Sequence, residues 1–174
     1  MKLDKNTPHD LIRQEIRNWV DQVLDIPSDH FNGLSACPFA KPALDKGRVD
    51  IRIGGKHTVW DTVDYFPPDR DLVIVCPIFA DKWLPDSIES FCEQLNWGIK
   101  SDDLIAIPFI PDIEGGTEQP DVECENWDYL IDESFPMIFI QRLSELKAAS
   151  AKLQKRGYYL NVSSKFRDYV ESRD

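Results

Sequence analysis

The 174-residue sequence predicts a single α/β domain, a small sheet of three to four strands containing a βαβ unit with helices packed on it. Three observations carry that prediction. Segments whose apolar residues recur at helical spacing alternate along the chain with short β-branched runs. One run, Leu72-Val-Ile-Val-Cys-Pro-Ile, is apolar on both of its faces, as a strand in the middle of a covered sheet must be. The length, with 42% hydrophobic and 29% charged residues, suffices for one core without disulfide or metal staples.

Each element has its own signal. Thr7-Pro8 opens the first helix, with Thr7 as N-cap, Pro8 in the first turn and Asp10 near the positive end of the dipole. Its apolar residues Ile12, Ile16, Trp19, Val20 and Val23 keep helical spacing, so it runs to about Leu24 and stops ahead of Pro27. Pro27, Asn32-Gly33, Pro38 and Pro42 mark a loop from Ile26 to Pro42, with a short helical turn at about Pro38–Leu44. Arg48-Val-Asp-Ile-Arg-Ile-Gly alternates with period two, which puts Val49, Ile51 and Ile53 on one side of a half-exposed strand. A polar or short helical stretch through Trp60 and Val63 leads to the buried run at Leu72.

Leu84, Ile88, Phe91 and Leu95 then return to helical spacing and end near Asn96-Trp-Gly98. Leu104-Ile-Ala-Ile-Pro-Phe is the next strand, completing the βαβ unit. Pro136, in the first turn after Ser134-Phe135, starts a helix over about 136–156, with Phe139, Leu143, Leu146 and Leu153 on its apolar side. Met137-Ile-Phe-Ile as a short strand ahead of a shorter helix is the alternative. Lys152, Lys155 and Arg156 suit the negative helix end before Gly157. A last amphipathic helix runs from Ser163 or Ser164 to Glu171, with Phe166, Tyr169 and Val170 on one face.

The formal charge of -11 disfavours generic binding to nucleic acid or to anionic membrane surfaces. Its distribution is uneven. Residues 88–141 hold 13 acids against the single base Lys100, whereas residues 142–174 hold eight bases against four acids, so the chain ends in a basic tail that closes with the helical C-terminal segment 157–174. The acids are densest in a loop at 112–133. One reading pairs that loop with the basic tail. A second gives it a basic protein partner, and a third a carboxylate-bound divalent metal, although Asp112-Ile-Glu-Gly-Gly lacks the register of a calcium-binding loop. The longest apolar run is too short to cross a bilayer, and the N-terminus lacks the apolar core of a signal peptide, so the expected location is the cytosol.

Cys37, Cys76, Cys92 and Cys124 contain no Cys-x-x-Cys pair and fit neither a disulfide scaffold nor a zinc site. Cys76 and Cys92 read as small buried hydrophobes. Cys37 is different. If Pro38 begins a helical turn, Cys37 is its N-cap, where free N–H groups favour a thiolate, and Lys41 adds a positive charge one turn on. A thiol enzyme also needs a proton acceptor, and His30, in the same loop, and His57, after Gly54-Gly55, are the candidates. Phe109, Asp112 and Gly115 follow the end of a strand, where α/β sheets gather their ligand sites, and are the substrate-binding candidates with Lys41. No nucleotide-binding glycine loop, serine-hydrolase elbow or other cofactor motif is present.

Cys37-Pro-Phe-Ala, preceded by a helix containing Trp19, resembles the signature of a bacterial family of uncharacterised proteins, a domain of unknown function with a Cys-Pro-Phe-Ala motif. Phe109-Ile-Pro-Asp with Gly115 is similar to that family's Phe-His-Pro followed by Gly, with Ile110 in place of the histidine. Ser134-Phe-Pro with Leu143 is similar to its Ser-Pro-x-Pro segment leading into a Leu-rich helix. The resemblance implies a site at Cys37 and names no reaction. The resulting expectation is a small-molecule or thiol-dependent enzyme, against a non-catalytic protein that binds a basic partner through 112–133.

Overall fold

The computed structural model describes residues 7–77, 85–110 and 136–172. Ile12, Ile16 and Trp19 form the buried stripe of helix α1 (His9–Trp19). Val20–Leu24 continues it as a π-helical turn, in which the Asp25 N–H donates to the Val20 carbonyl at 2.8 Å. The helix therefore ends where Pro27 requires. Its cap residue is Pro8 rather than Thr7, because the Pro8 carbonyl takes the first helical N–H, from Leu11 at 3.0 Å, and the Pro8 side chain makes no capping hydrogen bond.

The expected loop contains a small hairpin of β1 (Pro27–Ser28) and β2 (Leu34–Ser35) around a 3-10 turn at Asp29–Phe31. Asn32 and Gly33 close it at φ 56° and 75°, the left-handed conformation that these two residue types tolerate best. The short helix α2 (Ala40–Asp45) follows. Next come β3 (Val49–Ile53), α3 (Lys56–Asp64), β4 (Leu72–Cys76), α4 (Pro85–Ile99) and β5 (Leu104–Phe109). The chain closes with β6 (Met137–Arg142), α5 (Leu143–Lys155) and α6 (Ser164–Glu171).

Among the described residues β3 to β6 form one four-stranded mixed sheet in the order β3-β4-β6-β5. The adjacent parallel βαβ unit is β3–α3–β4. The expected unit β4–α4–β5 also has parallel strands, but β6 lies between them, antiparallel to both. A helix over 136–156 is thus corrected to a strand followed by a shorter helix. Met137 and Phe139 point to one side and Ile138 and Ile140 to the other, so β6 buries apolar side chains on both faces while its backbone pairs with both neighbours.

Alternation sorts the core into two layers. Val73 and Val75 of β4 join Ile138, Ile140, Leu104 and Ala106 under α3 and α4, where Val59, Ile88, Cys92 and Leu95 meet them. Ile74 and Cys76 face the opposite way with Ile51 and Met137, under Ile12, Ile16 and Trp19 of α1 and Leu44 of α2. A third, separate cluster joins Phe31 of the hairpin to Leu153, Tyr158 and Val162. The turn from β3 into α3 is tight: the Gly54 N–H donates to the Cys76 carbonyl at 3.1 Å, and a Cβ on Gly54 would lie 2.0 Å from the Thr58 Oγ1.

Candidate functional site

Cys37 lies between the hairpin and α2, three residues ahead of the first helical residue, so the N-cap is Phe39 and not Cys37. Its own N–H is taken by the Leu24 carbonyl at 3.0 Å, and its carbonyl accepts from Ala40 at 3.1 Å. These bonds hold a turn ahead of the helix. Burial pushes the thiol above its ordinary range, and the backbone N–H groups of Phe39 and Ala40 offset part of that rise. The residue as a whole is partly exposed, so a desolvated sulfur sits close to the surface. Burial thus favours the protonated form of the Cys37 thiol.

Lys41 does not act on that sulfur. Its ammonium lies 3.2 Å from Asp21 and 3.2 Å from Asp25, on the π-helical turn and just after it. Hydrogen bonds to those carboxylates hold its pKa above the usual lysine range. The charge expected beside the thiol thus anchors α2 to the end of the first helix.

The two histidines are not brought to Cys37. His30 sits in the 3-10 turn, its ring edge-on to Phe31 with centroids 4.9 Å apart, and its backbone N–H bonds Ser28 Oγ. Burial lowers its pKa, and its Nε2 is shielded from solvent with no hydrogen-bond partner among the described residues. His57 is exposed in the first turn of α3. That helix packs on the sheet face opposite the one that α2 covers, which separates His57 from the Cys37 loop by the sheet itself. No hydrogen bond joins either histidine to Cys37 among the described residues.

Phe109 ends β5, but its ring packs against Trp19, with centroids 4.9 Å apart, and against Phe139 at 6.1 Å. It is partly buried and packs against the core layer under α1. Asp112, Gly115, Cys124 and the acidic stretch 112–133 lie outside the described residues. Among the described residues, no group of three or more His, Cys, Asp or Glu is placed to hold a metal ion. No helix there is long and apolar enough to cross a membrane.

What sequence reasoning missed is the attachment of the Cys37 loop to the C-terminal segment. The Tyr158 hydroxyl donates to the Ala36 carbonyl, next to Cys37, and its ring stacks on Phe31 at 4.8 Å. Asn161 Nδ2 donates to the Asp29 carbonyl at 2.8 Å and Asn32 Nδ2 to the Arg156 carbonyl at 3.3 Å. These contacts span more than 120 residues, and the only local signal for them was the aromatic pair Tyr158-Tyr159 beyond a glycine. A separate cleft of about 450 Å³ lies between α5 and α6, lined by Leu146, Lys147, Ser150, Tyr159, Arg167 and Val170. It contains none of the catalytic or substrate-binding candidates named from the sequence. The chain matches no protein-family model, no curated protein and no solved structure.

Proposed function

We propose that the protein is a cytosolic thiol-dependent protein with Cys37 as its reactive group, acting on a small molecule. The observation that carries this reading is the fixed turn at Cys37, whose N–H bonds the Leu24 carbonyl and whose carbonyl accepts from Ala40, with the backbone N–H groups of Phe39 and Ala40 opposing the rise that burial gives its thiol. Such donors favour the anion once it forms, and they need no histidine to do so. The loop is also fixed on three sides, by Leu24, by Tyr158 and by the Lys41 bridge to Asp21 and Asp25. That fixation supports a site whose geometry matters. The resemblance of Cys37-Pro-Phe-Ala to an uncharacterised family's signature points to the same residue. Cys37, Cys76 and Cys92 are unpaired, which supports a reducing compartment.

Alkylation of the native protein by iodoacetamide over a pH series, read by peptide mapping, tests the proposal. Cys37 is expected to react well ahead of Cys76 and Cys92, with an inflection above that of an ordinary thiol because burial raises its pKa. Labelling of Cys37 no earlier than the two buried thiols overturns the reading.

A further inference from the structure

The two edges of the sheet are finished differently. On β5, the Asn96 side chain takes both backbone groups of Ala106, donating to its carbonyl and accepting from its N–H, each at 2.8 Å. Ala106 therefore faces away from β6, and by alternation so do Leu104 and Pro108. Pro108 has no N–H to offer. With Ala106 satisfied and Pro108 lacking a donor, this edge presents no ladder to a further strand.

Among the described residues the β3 edge is open. Its parity is set at both ends, where the Leu72 N–H donates to the Arg48 carbonyl at 3.4 Å and the Gly54 N–H to the Cys76 carbonyl at 3.1 Å. Residues 48, 50, 52 and 54 accordingly pair with β4, and Val49, Ile51 and Ile53 turn their backbone groups outward. Of those outward groups, the Ile51 carbonyl alone has a partner among the described residues, the Arg13 guanidinium at 3.5 Å. That contact is at the limit of hydrogen bonding and belongs to a half-exposed side chain.

We propose that the β3 edge pairs with the β3 edge of a second copy of this chain, antiparallel about a two-fold axis at Ile51. Two four-stranded sheets then become one continuous sheet. In this register Ile51 faces its counterpart and Val49 faces Ile53, and these are the pairs that exchange backbone hydrogen bonds. Asp50 of each copy faces Arg52 of the other in the non-hydrogen-bonded positions, where side chains approach most closely. Charge selects the register. A shift of two residues one way sets Asp50 against Asp50 and Arg52 against Arg48, and a shift the other way sets Arg52 against Arg52. Within one copy Arg52 bonds Asp50 at 2.8 Å and Thr62 at 2.9 Å. Both side chains of that pair keep about a third of their surface exposed, 35% for Asp50 and 27% for Arg52, so each can reach a second partner.

Sedimentation velocity of the full chain over a concentration series reads the proposal. A reversible monomer–dimer equilibrium is expected, and Asp50→Arg and Arg52→Asp are each expected to abolish it by placing like charges opposite. Mixing the two variants restores opposite charges across the pair and is expected to regain the dimer. A wild type that stays monomeric, a dimer that persists in either variant, or a mixture of cooperatively folded variants that fails to dimerise overturns the proposal. If Arg52→Asp does not fold for want of a donor to Thr62, amide exchange of the wild type decides. Protection at Val49, Ile51 and Ile53 that rises with protein concentration supports the pairing, and protection independent of concentration overturns it.

Discussion

Cys76 and Cys92 show what the interior does to a thiol. They are 0% and 1% exposed, and burial pushes both up to about 12 from an ordinary 9.0, with Glu89 adding to the rise at Cys92 and Arg13 opposing it at Cys76. A thiol with a raised native pKa binds its proton more tightly folded than unfolded. Its contribution to stability is complete below pH 9.0 and is lost as pH climbs through the native value. Each thiol is thus expected to remove about 1.4 kcal/mol of stability per pH unit across that window. Urea unfolding at intervals through the window, on the wild type and on Cys92→Ala, checks this. The variant starts less stable because of the cavity left in the core, but its alkaline decline is shallower by about one thiol's share. Parallel declines would show that Cys92 does not titrate on unfolding. The burial of these two cysteines was legible in the sequence from their apolar neighbours. The state of Cys37 was not, because burial and the diversion of Lys41 to Asp21 and Asp25 are set by residues that only the fold brings near.

The closed β5 edge gives a prediction at the scale of the element. Asn96 is part of α4, and its carboxamide replaces a neighbouring strand for Ala106. Asn96→Ala leaves an N–H and a carbonyl at the sheet edge without their partner, and the expected loss is about 1–3 kcal/mol of unfolding free energy. Denaturant unfolding measures it, and a change within roughly 0.5 kcal/mol, as for an ordinary surface substitution, would mean water replaces the carboxamide at no cost. The same element pair marks the limit of reading the chain alone. β3, β4 and β5 announced themselves by alternation or by β-branched runs, whereas β6 was legible only as the alternative to a longer helix, at Met137-Ile-Phe-Ile. Phe139, Leu143, Leu146 and Leu153 keep helical spacing across what is a strand followed by a helix, and a local period cannot detect the gap between β4 and β5 that β6 fills. The boundary falls at Leu143, whose N–H bonds the Asp103 carbonyl, while the Asp103 carboxylate takes the N–H and hydroxyl of Ser144. The residue that caps α5 thus lies 41 positions away in sequence. No local cap could have been read from the chain.

For the molecule as a whole, the division of the core into two sheet layers and one satellite has a dynamic consequence. The layers share the strands of one sheet, so opening either exposes the other. The satellite shares none: Phe31, Leu153, Tyr158 and Val162 join the hairpin to the end of α5 and the segment after it. Regions with few buried contacts to the main core open with lower free energy than the sheet. The hairpin and residues 156–162 are therefore expected to exchange their amides together, ahead of β4 and β6. Tyr158 is the link between them, 5% exposed, stacked on Phe31 and bonded to the Ala36 carbonyl. Tyr158→Phe keeps the stack and removes the hydrogen bond, so it is expected to speed exchange in both segments about fivefold, the equivalent of ~1 kcal/mol, and to leave the central strands unchanged. Native-state hydrogen exchange with residue or peptide resolution distinguishes the cases. Equal acceleration in β4 and β6 would make the satellite part of one global unit, and acceleration in only one of the two segments would mean that Tyr158 does not couple them. Because Ala36 precedes Cys37, coupled opening also predicts faster alkylation of Cys37 in Tyr158→Phe, by the same factor and with the same pH inflection, since the Phe39 and Ala40 donors are untouched.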